Sequence, residues 1–210
     1  MIASSAAPAS PPSSVLGRPP GRHAWVGLAL LLAACTSGCA SAPSEGTELA
    51  AGVTARAPGD LLPTGSALPP LKASDHRGEP VDLAALGGMP TVIYFYPKDA
   101  TPGCTTEACA FRDAWDKYEA AGVRVLGVSA DDAASHKAFA AEHSLPFGLI
   151  ADTSREWAAA FGVATSMGMP QRVTFLVGRD GKVAHVYPKV DPGVHAAEIL
   201  ADVTGLPAAP

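Results

Sequence analysis

The 210-residue sequence has few charged residues, few cysteines and no run of basic residues. Charged residues make up 17% and hydrophobic residues 48%, a balance that excludes a wholly disordered chain. Four cysteines are too few for a small domain held together by disulfides. The formal net charge of −5, without a cluster of Lys and Arg, argues against nucleic acid as the main partner.

Cofactor motifs are also missing. The chain has neither a phosphate-binding loop nor a dinucleotide glycine signature, so the sequence predicts no nucleotide cofactor. The six histidines form no metal-ligand pattern, and the two that lie seven residues apart, His136 and His143, are expected to be solvated or satisfied histidines. No internal repeat is visible, and the length fits one sizeable domain with appendages.

The first third of the chain has the composition of a processing signal and a linker. Ten of the twenty prolines lie in the first 70 residues, among runs of Ala, Ser and Gly. An apolar stretch at residues 24–34 follows Arg18 and Arg22. As a helix it would span about 16 Å, roughly half of the bilayer core, so it resembles the apolar part of a signal peptide more than a transmembrane helix.

This stretch ends in Leu-Ala-Ala-Cys at residues 32–35, which resembles the bacterial lipobox. In proteins with that signal, the cysteine is lipidated and becomes the mature N-terminus. Cys39 fits less well because no aliphatic residue lies three places before it. An ordinary secretory signal and an uncleaved anchor are the alternatives.

The expected organisation therefore has three parts. Residues 1–34 are a lipoprotein signal peptide, residues 35–63 are a flexible tether that begins at the lipidated Cys35, and residues 64–206 are a globular domain. This predicts a lipid-anchored protein of the bacterial cell envelope, with its domain facing the periplasm or the exterior.

Strand and helix patterns alternate in the globular part. The β-branched and aromatic run at residues 91–96 is typical of a strand buried on both faces. Further strands are predicted at residues 123–128, 148–151, 172–177 and 182–187, and helices at 104–120, 131–143, 155–161 and 194–203. This order predicts an α/β sandwich with a mixed sheet, compatible with a thioredoxin-like arrangement.

The most informative feature is a cysteine at the start of a helix. A strand ends near Pro97, a turn follows, and Cys104 opens the next helix. A helix N-terminus carries partial positive charge and unsatisfied N–H groups, which favour the thiolate over the thiol. Since the thiolate is the nucleophilic form, Cys104 is predicted to be a nucleophile.

The surrounding residues carry a family resemblance. The pattern Pro-x-x-x-Thr-x-x-Cys at residues 97–104 resembles the active-site signature of peroxiredoxins. The longer run YPKDATPGCTTEACAFRD at residues 96–113, with RVTFLV at 172–177, is similar to the peroxiredoxin Q branch, also called bacterioferritin comigratory protein. The resemblance implies a thioredoxin-like peroxiredoxin fold and a thiol-dependent peroxidase, without a cofactor, that reduces hydrogen peroxide and organic hydroperoxides.

The resemblance also implies a role for each of five residues. Cys104 is the peroxidatic cysteine, which becomes a sulfenic acid, and Cys109 is the resolving cysteine, which closes an intramolecular disulfide. Thr101 donates a hydrogen bond to the peroxide, Pro97 shields the sulfur, and Arg172 holds the thiolate and a peroxide oxygen. A thioredoxin-like or glutaredoxin-like reductant would then reduce the disulfide, and a monomer is expected.

The spacing of the two cysteines adds a mechanical requirement. In a regular helix, residues five apart have Cα atoms about 8.6 Å apart. A disulfide needs a separation of about 4.4–6.8 Å. Cys104 and Cys109 therefore cannot be bridged until the first turns of the helix unwind.

Other residues of the motif are expected to be peripheral to the chemistry. Glu107 is expected to be a solvated first-turn carboxylate, Lys98 and Asp99 to lie on the rim, and Arg112 and Asp113 to be structural.

Two other functions are alternatives to the peroxidase. A thiol–disulfide oxidoreductase would favour C-x-x-C, and a copper-binding module would favour C-x-x-x-C with a histidine ligand. The observed C-x-x-x-x-C spacing disfavours both.

Overall fold

The computed structural model describes residues 52–207. The predicted signal peptide, Cys35, Cys39 and most of the predicted tether lie outside the described residues. Between residues 52 and 207, no helix is long and apolar enough to cross a membrane.

The described chain alternates strands and helices. In chain order the elements are β1 (Lys72–Ser74), β2 (Pro80–Asp82), a short 3-10 helix (Leu83–Ala85), β3 (Thr91–Phe95), α1 (Pro102–Asp113), α2 (Trp115–Ala120), β4 (Arg124–Ser129), α3 (Ala133–His143), β5 (Gly148–Ala151), α4 (Glu156–Phe161), β6 (Thr165–Ser166), β7 (Met169–Pro170), β8 (Val173–Val177), β9 (Val183–Tyr187) and α5 (His195–Val203).

The central sheet has five strands in the order β5-β4-β3-β8-β9. β3 pairs in parallel with β4 and antiparallel with β8, while β4 and β5 are parallel and β8 and β9 are antiparallel. β1 pairs with β2, and β6 with β7, as separate two-stranded sheets. The predicted mixed sheet and thioredoxin-like α/β sandwich are confirmed.

Both faces of the central sheet are covered, as the apolar character of β3 predicts. Val92 and Tyr94 pack with buried side chains of α1, α2, α3 and α5. Ile93 and Phe95, which point to the opposite face, pack with α4 and with Leu62. This alternation follows from the two-residue period of a strand.

The predicted helix at residues 104–120 is wrong in two respects. α1 begins at Pro102, because a proline without an N–H group is tolerated in the first turn. The helix is then interrupted at Ala114, where the backbone leaves helical geometry (φ −93°, ψ 5°). The interruption redirects α2, so that the buried Tyr118 hydroxyl donates to Ala196 O at 2.6 Å.

The chain already contacts the globular part before residue 64, where the predicted domain begins. Arg56 N donates to Ala159 O at 2.9 Å, and Leu62 N donates to Phe161 O at 2.9 Å. Residues 56–62 therefore provide hydrogen-bond donors for carbonyl groups at the end of α4. Leu62 is buried in the core. At Gly162 a Cβ atom would come within 1.9 Å of Asp60 O, so the close approach needs a glycine. Residues 56–62, in the last part of the predicted tether, therefore pack against α4.

Candidate active site

Cys104 lies in the first turn of α1, as predicted. Thr101 precedes the helix in an extended conformation (φ −88°, ψ 147°), and Pro102 is its first residue. The Cys104 side chain is buried and its thiol is free. The sulfur therefore lies at the positive end of a 12-residue helix and is shielded from bulk solvent.

The side chain of Arg172 contacts the Cys104 sulfur. Its Nη2 atom donates to Cys104 Sγ at 3.2 Å. The residue immediately precedes β8, and the pairing of Val173 with Phe95 places it beside the end of β3, where the loop to α1 begins. Gly103 leaves room for the guanidinium, because a Cβ atom at this position would lie only 3.4 Å from Arg172 Nη2. A permanent cation is thereby held against the predicted nucleophile.

Glu107 is not the solvated carboxylate that its sequence position suggests. Its side chain is fully buried, and Oε2 accepts a hydrogen bond from Arg172 Nη1 in a buried ion pair. Burial raises the pKa of Glu107 from its ordinary value of 4.5 to about 7, although the charge and hydrogen bond of Arg172 act in the opposite direction. The three-residue spacing from Cys104 could have identified it, since residues i and i+3 share a helix face.

The guanidinium of Arg172 therefore bridges a thiol and a carboxylate. Nη1 contacts Glu107 and Nη2 contacts Cys104, so two of its planar donors are assigned to two different acceptors. This orients the guanidinium and places its positive charge against the Cys104 sulfur. Such an arrangement can support attack by the sulfur on an electrophile and can stabilise an anionic leaving group.

Thr101 and Pro97 lie in the loop of residues 96–101, which joins β3 to α1. The Thr101 hydroxyl donates to Lys98 O at 2.9 Å and does not cap the helix. Pro97 is half-buried and follows the last residues of β3. Both predicted site residues are thus in the segment that leads directly into the Cys104 turn, and Lys98 is exposed, as expected of a rim residue.

Asp99 differs from the prediction for the rim. It is buried, and its carboxylate lies 2.8 Å from the Nδ1 atom of His136, which is also buried. Among its polar neighbours are Tyr96 and Ser135. His136 is satisfied by protein partners, which is one of the two states predicted for it.

Cys109 lies further along the same intact helix. It is half-buried and its thiol is free. The side chain of Arg112, one turn later, forms an ion pair with the Asp113 carboxylate and donates from Nη1 to His143 O at 2.9 Å. Because α1 is continuous through both cysteines, the spacing argument against a bridge in this conformation applies.

A mixed thioredoxin-like sheet with a buried free cysteine at a helix start, contacted by an arginine, is typical of thiol-dependent redox enzymes. A family comparison narrows this class. Residues 64–186 match the AhpC/TSA family, and the chain belongs to that family.

Relatives within the family are peroxiredoxins. The chain is 39% identical over 211 residues to chloroplastic peroxiredoxin Q of Triticum aestivum, covering 98% of this chain and 94% of the relative. The structure of peroxidoxin BcpB from Mycobacterium tuberculosis is similar, with 31% identity, a TM-score of 0.63 and coverage of 69% of this chain and 98% of that chain.

A third relative is known to act on alkyl peroxides. It is the bacterioferritin comigratory protein of Xanthomonas campestris, described for its alkyl peroxide reduction activity, with 34% identity, a TM-score of 0.62 and coverage of 68% of this chain and 98% of that chain. The expected membership of the peroxiredoxin Q type is confirmed, and the protein is a thiol-dependent peroxidase.

Proposed function

We propose that the protein is a two-cysteine peroxidase anchored in the bacterial cell envelope, which reduces hydrogen peroxide and organic hydroperoxides. The observation that carries this proposal is the contact of Arg172 Nη2 with Cys104 Sγ at the start of α1. Organic hydroperoxides are included because a relative is described as active on alkyl peroxides.

The first step consumes the peroxide. The Cys104 thiolate attacks the terminal oxygen of the O–O bond, which breaks, and the other oxygen leaves as hydroxide or alkoxide, which takes a proton from solvent to give water or an alcohol. Cys104 becomes a sulfenic acid. Arg172 stabilises the thiolate and faces the charge that develops on the leaving oxygen. The Thr101 hydroxyl turns from Lys98 O, to which it donates in this structure, and donates to the bound peroxide, while Pro97 keeps water away from the sulfur.

The second step resolves the sulfenic acid. The Cys109 thiol attacks the Cys104 sulfur, water leaves, and a disulfide forms. The first turns of α1 unwind to allow this, since the intact helix keeps the two residues too far apart. A thioredoxin-like or glutaredoxin-like dithiol then supplies two electrons and two protons, which restores both thiols.

The oxidation state of each cysteine after peroxide treatment tests this cycle. Reduced full-length protein is treated with one equivalent of peroxide and mapped by peptide mass spectrometry. We expect a link between the peptides of Cys104 and Cys109. We expect Cys109→Ser to stop at a dimedone-reactive sulfenic acid on Cys104, and Cys104→Ser to have no turnover. Full turnover of Cys109→Ser with a thioredoxin-type donor would contradict the two-cysteine cycle alone.

The anchor is supported by the Leu-Ala-Ala-Cys sequence at residues 32–35. Mass spectrometry of protein extracted from membranes should find lipid on Cys35. The variant Cys35→Ser should move the protein out of the membrane fraction and leave the peroxidase rate constant unchanged, because Cys35 is absent from the proposed cycle. Cys39→Ser is the matched control, and equal membrane retention of both variants would refute the assignment of Cys35.

A further inference from the structure

A buried polar cluster fixes the loop that carries Pro97 and Thr101. The cluster joins this loop to β4, α3 and the strand β5 through side chains that are buried or half-buried. We call it the Asp99 cluster, and its members are Tyr96, Asp99, Ser129, Asp131, Ser135 and His136.

The Asp99 carboxylate is the centre of the cluster. Its Oδ1 atom accepts from the Tyr96 hydroxyl at 2.7 Å. Its Oδ2 atom accepts from Ser135 Oγ at 2.8 Å and lies 2.8 Å from His136 Nδ1. His136 Nε2 lies 3.1 Å from Ile150 O, so the ring spans the distance between the loop and β5.

The main chain of the loop is fixed as well. Asp99 N donates to Asp131 Oδ2 at 2.9 Å. The same oxygen accepts from Ser129 Oγ at 2.8 Å, which ties it to the end of β4. Both the side chain and the backbone of Asp99 are therefore held by elements outside the loop.

The charge state of Asp99 agrees with this geometry. Burial alone raises the pKa of a carboxyl group, but hydrogen bonds from His136 and Tyr96 outweigh it and lower the pKa of Asp99. A buried carboxylate costs free energy unless its partners satisfy it. The partners of Asp99 satisfy it and at the same time fix its position relative to α3.

The residue after Asp99 has a strained backbone. Ala100 has φ +55°, in the left-handed region that a residue with a side chain enters at a cost of about 1 kcal/mol. Thr101 follows it directly, and α1 begins after that. The Asp99 cluster adjoins this strained turn, which leads through Thr101 into α1.

We infer that Asp99 and His136 are positioning residues of the peroxidase, which hold residues 97–101 in place so that Pro97 and Thr101 form the peroxide pocket beside Cys104. The inference rests on the proposed function, because Thr101 and Pro97 receive their roles there. It also assigns Ala100 as the boundary of unwinding: residues before it stay fixed by the cluster while the first turns of α1 open to form the disulfide.

Two rate constants separate positioning of the pocket from activation of the thiolate. Reduced full-length protein reacts with hydrogen peroxide, or with iodoacetamide, and the peptide of Cys104 is followed by mass spectrometry. Iodoacetamide alkylates the thiolate and does not have to bind in the peroxide pocket. For His136→Gln and Asp99→Ala we expect the peroxide rate constant to fall about 10- to 100-fold. We expect the alkylation rate constant to stay within about twofold of wild type, since Arg172 still contacts the sulfur.

Milder variants guard against loss of folding. Ser135→Ala removes one of the hydrogen bonds to Asp99, and Asp99→Asn keeps an acceptor oxygen, so both should lower only the peroxide rate constant, by a smaller factor. His143→Gln is the matched control, because His143 lies on the same helix but outside the cluster. It should leave both rate constants unchanged. Circular dichroism confirms that each variant is folded.

The possible results decide between the two proposals. Folded variants with wild-type peroxide rate constants, or with equal losses in both rate constants, would overturn the positioning role and leave the proposed function intact. A wild-type protein without Cys104-dependent reduction of peroxide would refute the proposed function, and the positioning role with it.

Discussion

Arg172 Nη2 lies 3.2 Å from Cys104 Sγ, although the two residues are 68 positions apart in the chain. The antiparallel pairing of β3 with β8 creates this contact, because it brings the residue before β8 to the end of β3, where the loop to α1 begins. An arginine cannot lose its charge at any physiological pH, so the sulfur faces a permanent cation. Reactivity of Cys104 should therefore depend on Arg172 more than on any exposed cation.

Replacing Arg172 tests this dependence. In Arg172→Gln we expect the rate constant for hydrogen peroxide to fall about 10²- to 10³-fold, the usual effect of removing one donor that stabilises developing charge. Alkylation of Cys104 by iodoacetamide should also slow, because the thiolate itself loses its cation. Arg172→Lys should be intermediate, since one ammonium cannot reproduce the planar fork that contacts both Cys104 and Glu107.

The control for this experiment is Arg179→Gln. Arg179 lies in the turn between β8 and β9 and donates to Gly88 O at 3.2 Å, away from Cys104. It should keep both wild-type rate constants. Equal rate constants in Arg172→Gln and Arg179→Gln would show that the contact between Arg172 and Cys104 does not activate the sulfur.

Glu107 should make stability depend on pH in a direction opposite to that of an ordinary salt-bridged carboxylate. Burial raises its pKa from 4.5 to about 7, so between these values the folded state binds more protons than the unfolded state. The stabilising contribution is complete below pH 4.5 and is lost as the pH rises through about 7. The difference in unfolding free energy between wild type and Glu107→Gln should therefore fall, by at most about 3 kcal/mol, over that range.

Urea unfolding at a series of pH values measures this difference. Glu119→Gln, an exposed carboxylate on α2, is the matched control and should keep the pH dependence of the wild type. A difference between wild type and Glu107→Gln that stays constant from pH 4.5 to 7.5 would contradict a protonated, buried Glu107.

Oxidation should loosen the start of α1 and leave α3 unchanged. Disulfide formation between Cys104 and Cys109 requires the first turns to unwind, because an intact helix separates their Cα atoms by about 8.6 Å. Amide hydrogen exchange at residues 102–109 should be faster in the peroxide-treated protein than in the reduced protein. Exchange in α3 (Ala133–His143) should not change.

The variant Cys109→Ser isolates the cause of that loosening. It can form the sulfenic acid but no bridge, so peroxide should not accelerate exchange at residues 102–109. Equal exchange in both redox states of the wild type would mean that the cysteines are joined without unwinding, or are not joined to one another.

Sequence patterns predicted the parts of this fold that depend on local periodicity. The β-branched and aromatic run at residues 91–96 predicts a strand buried on both faces, and β3 is buried along its whole length. Cys104 and its helix start were equally visible, because a helix N-terminus is a local feature. Arg172 came from the resemblance alone, since nothing local connects it to Cys104.

The features that the sequence did not reveal depend on tertiary packing. Glu107 has the appearance of any first-turn carboxylate until Arg172 is placed beside it. Asp99 and His136 are 37 positions apart and meet only through the order of β3, β4 and α3. The docking of residues 56–62 on α4 is likewise a contact between distant segments, in a region whose composition favours a linker.

Asp152 should stabilise the protein more than an exposed helix cap does. The carboxylate is buried, and its two oxygens accept from Trp157 N at 3.0 Å and from Ala158 N at 2.9 Å, in the first turn of α4. Asp152→Ala leaves two buried N–H groups without acceptors, so we expect a loss of about 3 kcal/mol in unfolding free energy. Asp152→Asn keeps one acceptor and should lose about half as much.

Asp132 provides the matched comparison for this last effect. It caps α3 with an exposed carboxylate, which accepts from Ser135 N at 2.8 Å. Water can replace that acceptor, so Asp132→Ala should lose only about 1 kcal/mol. Urea unfolding of the three variants at pH 7 measures these losses. If Asp152→Ala and Asp132→Ala lose the same amount, burial of the cap contributes nothing, because the N–H groups of α4 must then find new partners when the carboxylate is removed.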